Sequence, residues 1–241
     1  MALSGTQTFM PDIGDIVQEA YERAGLEMRS GYDLRSARRS INLLTLEWQN
    51  RGINLWTIEE KGITSITKGT SSYNLDAGTI ALLDMVLRLD AGSATKQTDY
   101  QLNRISQSTF STIPNKLQQG RPLQYYMERR EVLDVNADGT DRFDTVNLWP
   151  VPDSSTKYQI RYWRMKRIDD AGDMASNTME VPGRFLPALV SGLAYQIAIK
   201  RPESAQKVQM LKQEYEQQFS MAAEEDREKS AIRFVPQAYR T

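Results

Sequence analysis

Apolar residues first recur at helical spacing between Asp12 and Ala24. There "DIGDIVQEAYERA" sets Ile13, Ile16, Val17, Ala20, Tyr21 and Ala24 along one side of a helix. Asp12, after Pro11, is placed to cap the start, and Gly25 to stop it. A second helical stretch begins at Asp33, "DLRSARRSINLLTLEWQNRG", and ends on Gly52. Leu34, Ala37, Ile41, Leu44 and Trp48 form its apolar stripe, while Arg35, Arg38, Arg39, Asn42, Gln49 and Arg51 occupy much of the rest. The short connection predicts an antiparallel helix hairpin.

The period then changes. "LWTIEEKGITSITKGTSSYNL" alternates as strands do, with glycine and serine turns, and "LLDMVLRLD" is an apolar run of strand length. "QLNRISQSTFSTIPN" has weak helical spacing and stops before Pro114. Three strand-like runs follow, "PLQYYMERREVLDV", "RFDTVNLWPVP" and "KYQIRYWRMKRI", rich in aromatic and β-branched residues. Helical spacing returns at Arg184 in "RFLPALVSGLAYQIAIKRP", where Pro187 sits in the first turn. After Pro202 a last helix carries Val208, Leu211, Tyr215 and Phe219 on one face.

The order helix–helix, strands, helix–helix predicts an α+β protein. Residues 1–53 and 184–229 are expected to build one helical bundle, with a β-rich antiparallel domain at 54–183 inserted between them. Residues 230–241 break the pattern, with Ile232, Phe234, Val235 and Tyr239 around Pro236. That composition suits a tail folded on its own core and equally an extended arm that docks on another protein.

Composition narrows the chemistry. With 30 basic and 31 acidic side chains and a net charge of −1, the 241-residue chain lacks the basic excess of a dedicated DNA binder. It has no cysteine, which excludes disulfides, thiolate zinc sites and cysteine nucleophiles. It has no histidine either, which removes the usual general base and the commonest transition-metal ligand. No window reaches the ~18 apolar residues of a membrane span. The start, "MALSGTQTFMPDIGD", has neither the basic opening nor the apolar core of a signal peptide. The expectation is a non-enzyme without cofactor or metal, synthesised in the cytoplasm and not membrane-bound.

Several stretches still invite a functional reading. "DVNADGTD", Asp134 to Asp141, places oxygen ligands as a calcium loop would, with Gly139 at the sharp turn. Its twelfth position is Thr145, which cannot supply the closing bidentate carboxylate, and the flanks alternate like strands rather than helices. A hairpin tip is therefore expected. Arg35, Arg38 and Arg39 could contact phosphates, although a solvated face or inter-subunit salt bridges explain them without a basic excess. Glu59 and Glu60 are neighbours in a strand and point to opposite faces, so they make a poor carboxylate pair. Tyr125, Tyr126, Tyr158, Tyr162 and Trp163 could stack on sugars or bases, but their strand propensity favours sheet core or interface. No nucleophile motif or glycine-rich phosphate loop is present.

The stretch from Asp15 to Trp56, closing on "EWQNRGINLW", resembles the N-terminal region of the head-to-tail adaptors of short-tailed bacteriophages, also called tail tubular protein A. "LWPVPD" at Leu148 to Asp153 and the terminal "IRFVPQAYR" fit the same family. The resemblance implies a wedge-shaped subunit of a dodecameric ring in the virion, between the portal protein and the tail nozzle (tail tubular protein B). Genomic double-stranded DNA would pass through its channel without sequence-specific binding. A C-terminal arm would dock on the portal, a role that falls to Ile232, Arg233, Phe234, Val235, Pro236, Tyr239 and Arg240 here. The competing reading is a tail component that binds or hydrolyses carbohydrate or peptidoglycan. As an enzyme it would need two carboxylates converging about 5–10 Å apart.

Overall fold

In a computed structural model of the chain, residues 9–52, 55–129 and 144–227 are described. The acidic stretch at 134–141 and the C-terminal segment at 230–241 lie outside them. Helix α1 (Ile13–Ala24) starts where expected: the Asp12 side chain accepts a hydrogen bond from the Asp15 N–H at 2.8 Å, and Gly25 ends the helix in the left-handed region. Helix α2 (Gly31–Arg51) begins two residues earlier than Asp33. Ser30 is the cap, and Asp33 reaches back to its N–H in a capping box, so the acid is the third helical residue instead of the first.

The chain next forms β1 (Ile58–Ile63), β2 (Ser72–Asn74), β3 (Thr79–Leu89), β4 (Thr98–Gln101) and β5 (Asn103–Arg104). The short helix α3 (Gln107–Ser111) lies in the stretch with weak helical spacing, and its cap is Ser106. It is followed by β6 (Gln119–Gly120), β7 (Gln124–Glu128), β8 (Thr145–Trp149), β9 (Val151–Pro152) and β10 (Tyr158–Lys166). Two helices then complete the order, α4 (Leu186–Lys200) and α5 (Val208–Glu225). The chain divides into two compact units, residues 57–167 and the remainder on either side, so an α+β fold with an inserted, mainly antiparallel β unit is what the structure holds.

In the β unit, one sheet runs β1-β10-β3-β4 and a second runs β2-β8-β7-β5. β10 pairs antiparallel with β1, Ile58 opposite Met165, and with β3, Leu87 opposite Ile160. Among the described residues, only the two-residue pairings β5–β7 and β6–β9 are parallel. Alternate residues of each sheet turn inward: Leu82, Met85, Leu87, Ile160 and Tyr162 from the first meet Tyr125, Met127, Val146 and Leu148 from the second in one buried cluster.

In the helical unit, α4 is the centre. Ala188, Leu189, Leu193, Ala194, Ile197 and Ala198 are buried around its circumference, as expected of a helix apolar on all sides. The helices α1, α2 and α5 each pack on it, and α1 and α2 meet each other less than either meets α4. The expected hairpin is thus opened by a third helix from far along the chain. Residues 168–182, expected in the β region, belong to this unit, because Ala171, Met179 and Val181 are buried in its core. The Gly14 and Ile13 N–H groups hydrogen-bond the carbonyls of Ala175 and Asn177 there.

Gly192 marks where α4 comes closest to its neighbours. A Cβ there would lie 2.8 Å from a Leu44 methyl and 2.9 Å from the Tyr215 ring. The ring cannot swing aside easily: the Trp48 indole N–H donates to its hydroxyl at 3.0 Å, and that hydroxyl donates to Glu47 at 3.2 Å. Gly192→Ala is expected to destabilise the protein by about 1–3 kcal/mol, although alanine is the better helix former by about 1 kcal/mol. Thermal unfolding of the two proteins checks this, and an unchanged or raised Tm would mean the helices separate freely.

Candidate functional site

The outer side of α2 carries the largest cluster of guanidinium groups that the sequence singled out. Tyr32, Arg35, Arg39 and Leu43 succeed one another along it and are exposed, Tyr32 to 61% and Leu43 to 62%. Arg38, one position off that line, folds into a concavity of about 470 Å³ lined by Tyr32, Arg35, Arg38, Arg39, Asn42, Gly172 and Asp173. Its far wall exists because Gly172 turns with φ near +64°, and the Asn42 side chain accepts the Ala171 N–H at 2.9 Å. Asn42 thereby pins the turn to α2 and brings Asp173 to 3.8 Å from the Arg38 guanidinium.

That contact leaves the cluster electrostatically open. The Asp173 side chain is fully exposed, so its attraction is screened by water. The Arg38 Nη1 is buried and makes no hydrogen bond. Arg35 and Arg39, spaced four apart on one helix, repel each other and have no ion-pair partner among the described residues. Lys200 adds a fourth cation, its ammonium 2.6 Å from the Ser40 hydroxyl. Burial and then the Arg39 charge push the Lys200 pKa down. Such a group can hold an anion; arginine does not exchange protons at ordinary pH, so acid–base chemistry does not follow.

A second concavity of about 470 Å³, lined by residues that include Tyr21, Arg29, Asp33, Arg201 and Glu203, is charge-balanced by comparison. At its base Arg201 pairs with Asp33, and Arg29 pairs with Glu27 at 3.3 Å. Burial by itself would raise the Asp33 pKa. The Ser30 hydroxyl, the Arg29 amide, the Arg201 charge and the Ser30 amide together outweigh burial and hold the carboxyl below the usual aspartate range. A depressed folded-state pKa contributes stability that is present above the unfolded value and lost as pH falls through the folded one. Asp33→Asn is therefore expected to destabilise by about 1–3 kcal/mol at neutral pH and to flatten the fall in stability below about pH 4. Urea titrations of both proteins between neutral and acid pH test this; parallel curves would show that Asp33 does not govern acid sensitivity.

The remaining sequence candidates resolve as follows. Tyr125, Tyr158 and Tyr162 are buried in the β core, Tyr126 stacks on Phe110 with ring centres 5.4 Å apart, and Trp163 is half-buried, so the five are not one platform. Burial pushes the hydroxyls of Tyr158 and Tyr162 up to about 12, aided by the carboxylates of Asp153 and Asp76 respectively and opposed at Tyr162 by the Asp76 amide. Glu59 pairs with Arg164 and Glu60 with Arg161, different partners as neighbouring strand residues require. Among the described residues no three acids gather as a metal site, and no helix is long and apolar enough to cross a membrane. Ile232, Arg233, Phe234, Val235, Pro236, Tyr239 and Arg240 fall outside the described residues, as does the loop at 134–141. The half-burial of Arg38 and the approach of Asp173 and Lys200 were missed; the position of Arg38 beside the Leu34–Ile41 stripe was the one local signal.

The profile of the SU10 adaptor protein family matches residues 11–237, which takes in both units. The chain belongs to that family. SU10 adaptor proteins are head-to-tail adaptors of bacteriophages, so the protein is a structural component of the phage virion. No curated protein matches the chain individually. A phage adaptor works through surfaces, and on the arginine side of α2 Arg35 and Arg39 have no ion-pair partner among the described residues.

Proposed function

We propose that the protein forms a dodecameric ring joining the portal to the tail nozzle, enclosing a channel through which double-stranded DNA passes without sequence-specific contacts. The observation that carries this reading is membership of the adaptor family across almost the whole chain. The near balance of 30 bases and 31 acids suits it, since a channel that holds DNA tightly would impede its passage. The subunit has no catalytic role and requires no cofactor. A closed ring uses heterologous contacts, so each copy presents two different complementary patches, and each contact buries ~1,000 Å² or more. The C-terminal arm, with Ile232, Arg233, Phe234, Val235, Pro236, Tyr239 and Arg240, docks on the portal; ordering a short segment is unfavourable in isolation and is offset on a preassembled ring.

Native mass measurement of the full-length protein with its portal ring tests this reading. A ring of copies added to the portal, and lost or weakened when the chain is cut after Lys229, is the expected result. Failure of the full-length protein to bind portal sinks the proposal. Binding unaffected by the cut retains the adaptor and removes the arm from its contacts.

A further inference from the structure

The cluster on α2 can hold an anion, and the helical unit itself carries a matching one. On α1, Asp15, Glu19 and Glu22 are exposed along one line. Arg23 pairs with Glu19 at 2.9 Å and the Gln18 amide donates to Glu22 at 3.1 Å, while the Asp15 carboxylate has no partner among the described residues. The line keeps a net negative charge. Resting on the ring reading above, we infer that the α2 surface centred on Arg35, Arg38 and Arg39 binds the α1 acidic line of the adjacent copy.

Three observations carry this beyond a count of charges. The spacings are commensurate: Arg35 to Arg39 and Asp15 to Glu19 are each one helical turn, about 6 Å along an axis, so two carboxylates can meet two guanidinium groups at once. Arg35 and Arg39, exposed and without an ion-pair partner among the described residues, gain charge-assisted hydrogen bonds from incoming carboxylates. The arginines are flanked by exposed Tyr32 and Leu43, and tyrosine and arginine together are the composition of a protein interface. A duplex DNA face is less consistent with Asp173 on the rim of the concavity, where it would repel a phosphate backbone. Donor and acceptor lie on different helices, so the contact can repeat head-to-tail from copy to copy, as a ring requires.

The test is a charge swap in the full-length protein, with association followed by sedimentation and native mass, alone and on the portal ring. Arg35→Glu/Arg39→Glu and Asp15→Arg/Glu19→Arg change only exposed side chains, and circular dichroism confirms that each variant folds. Each variant alone is expected to associate at least about tenfold more weakly than the parent. An equimolar mixture of the two regains association, because the reversed patches complement each other. Undiminished association of either variant, or no recovery on mixing, overturns the inference. So does an Arg35→Glu/Arg39→Glu variant that assembles normally but loses salt-sensitive retention on duplex DNA, since the anion would then be phosphate. A parent protein that never self-associates, even on the portal, defeats the ring reading itself, and that result is distinguishable because it precedes any substitution.

Discussion

Arg164→Met is expected to destabilise the protein by about 3 kcal/mol, the lower end of the cost of removing one partner from a buried ion pair. The Arg164 side chain is only 7% exposed. Its Nε donates to Glu59 at 2.8 Å, and its Nη1 donates at 2.8 Å to the Asp76 and Ala77 carbonyls and the Thr79 hydroxyl. One guanidinium therefore ties β10 to β1 and to the turn that leads into β3. Methionine fills much of the volume and supplies none of these donors. Glu59 is 30% exposed and can turn to water, which is why the lower figure applies. Adding Glu59→Gln should recover part of the loss by removing the stranded charge. Urea unfolding of the single and double variants measures both, and a loss under about 1 kcal/mol would show that water replaces the network freely.

The second large effect belongs to the helical unit. Trp48→Ala is expected to cost about 3–5 kcal/mol, the range for deleting a buried aromatic side chain. Trp48 is fully buried, and its ring centre lies 5.5 Å from that of Phe185 and 5.7 Å from that of Phe219. Its indole N–H also satisfies the Tyr215 hydroxyl at 3.0 Å. Tyr215→Phe removes only that hydroxyl, leaving the Trp48 N–H unpaired, and should cost about 1–3 kcal/mol. The ratio of the two effects separates packing from hydrogen bonding. Equal losses in the two variants would mean that the polar link, not the aromatic cluster, holds α2 to α5.

Elements with an undisturbed period were the legible ones. Ile13 to Ala24 and Leu211 to Phe219 reveal their inward faces because burial on a helix surface repeats every three or four residues. β4 was not legible, because its four residues are all exposed and no alternation can appear. β6, with two residues, is too short to show a period, whereas β9 falls at the end of the strand-like run that closes on Pro152. The segment 168–182 enters the helical core through isolated side chains of irregular backbone, a pattern without periodicity. At the candidate site the arginines were visible as a group on one helix. Their lack of compensation was not, since Asp173 and Lys200 reach them only through the tertiary fold.

Because the central helix α4 comes from the far side of the inserted unit, the two halves of the chain mature at different times during synthesis. All of residues 57–167 are synthesised before the first residue of α4, so the β unit has its complete sequence while α1 and α2 still lack the helix they pack on. The hydrogen bond between Trp48 and Tyr215 spans 167 residues of chain and can form only once Tyr215 has been made. Until then the apolar sides of α1 and α2 are without their main cover, and they are the surfaces on which a chaperone would act. Both faces inferred to join adjacent copies lie on helices that pack only once α4 is made, so assembly follows synthesis of α4.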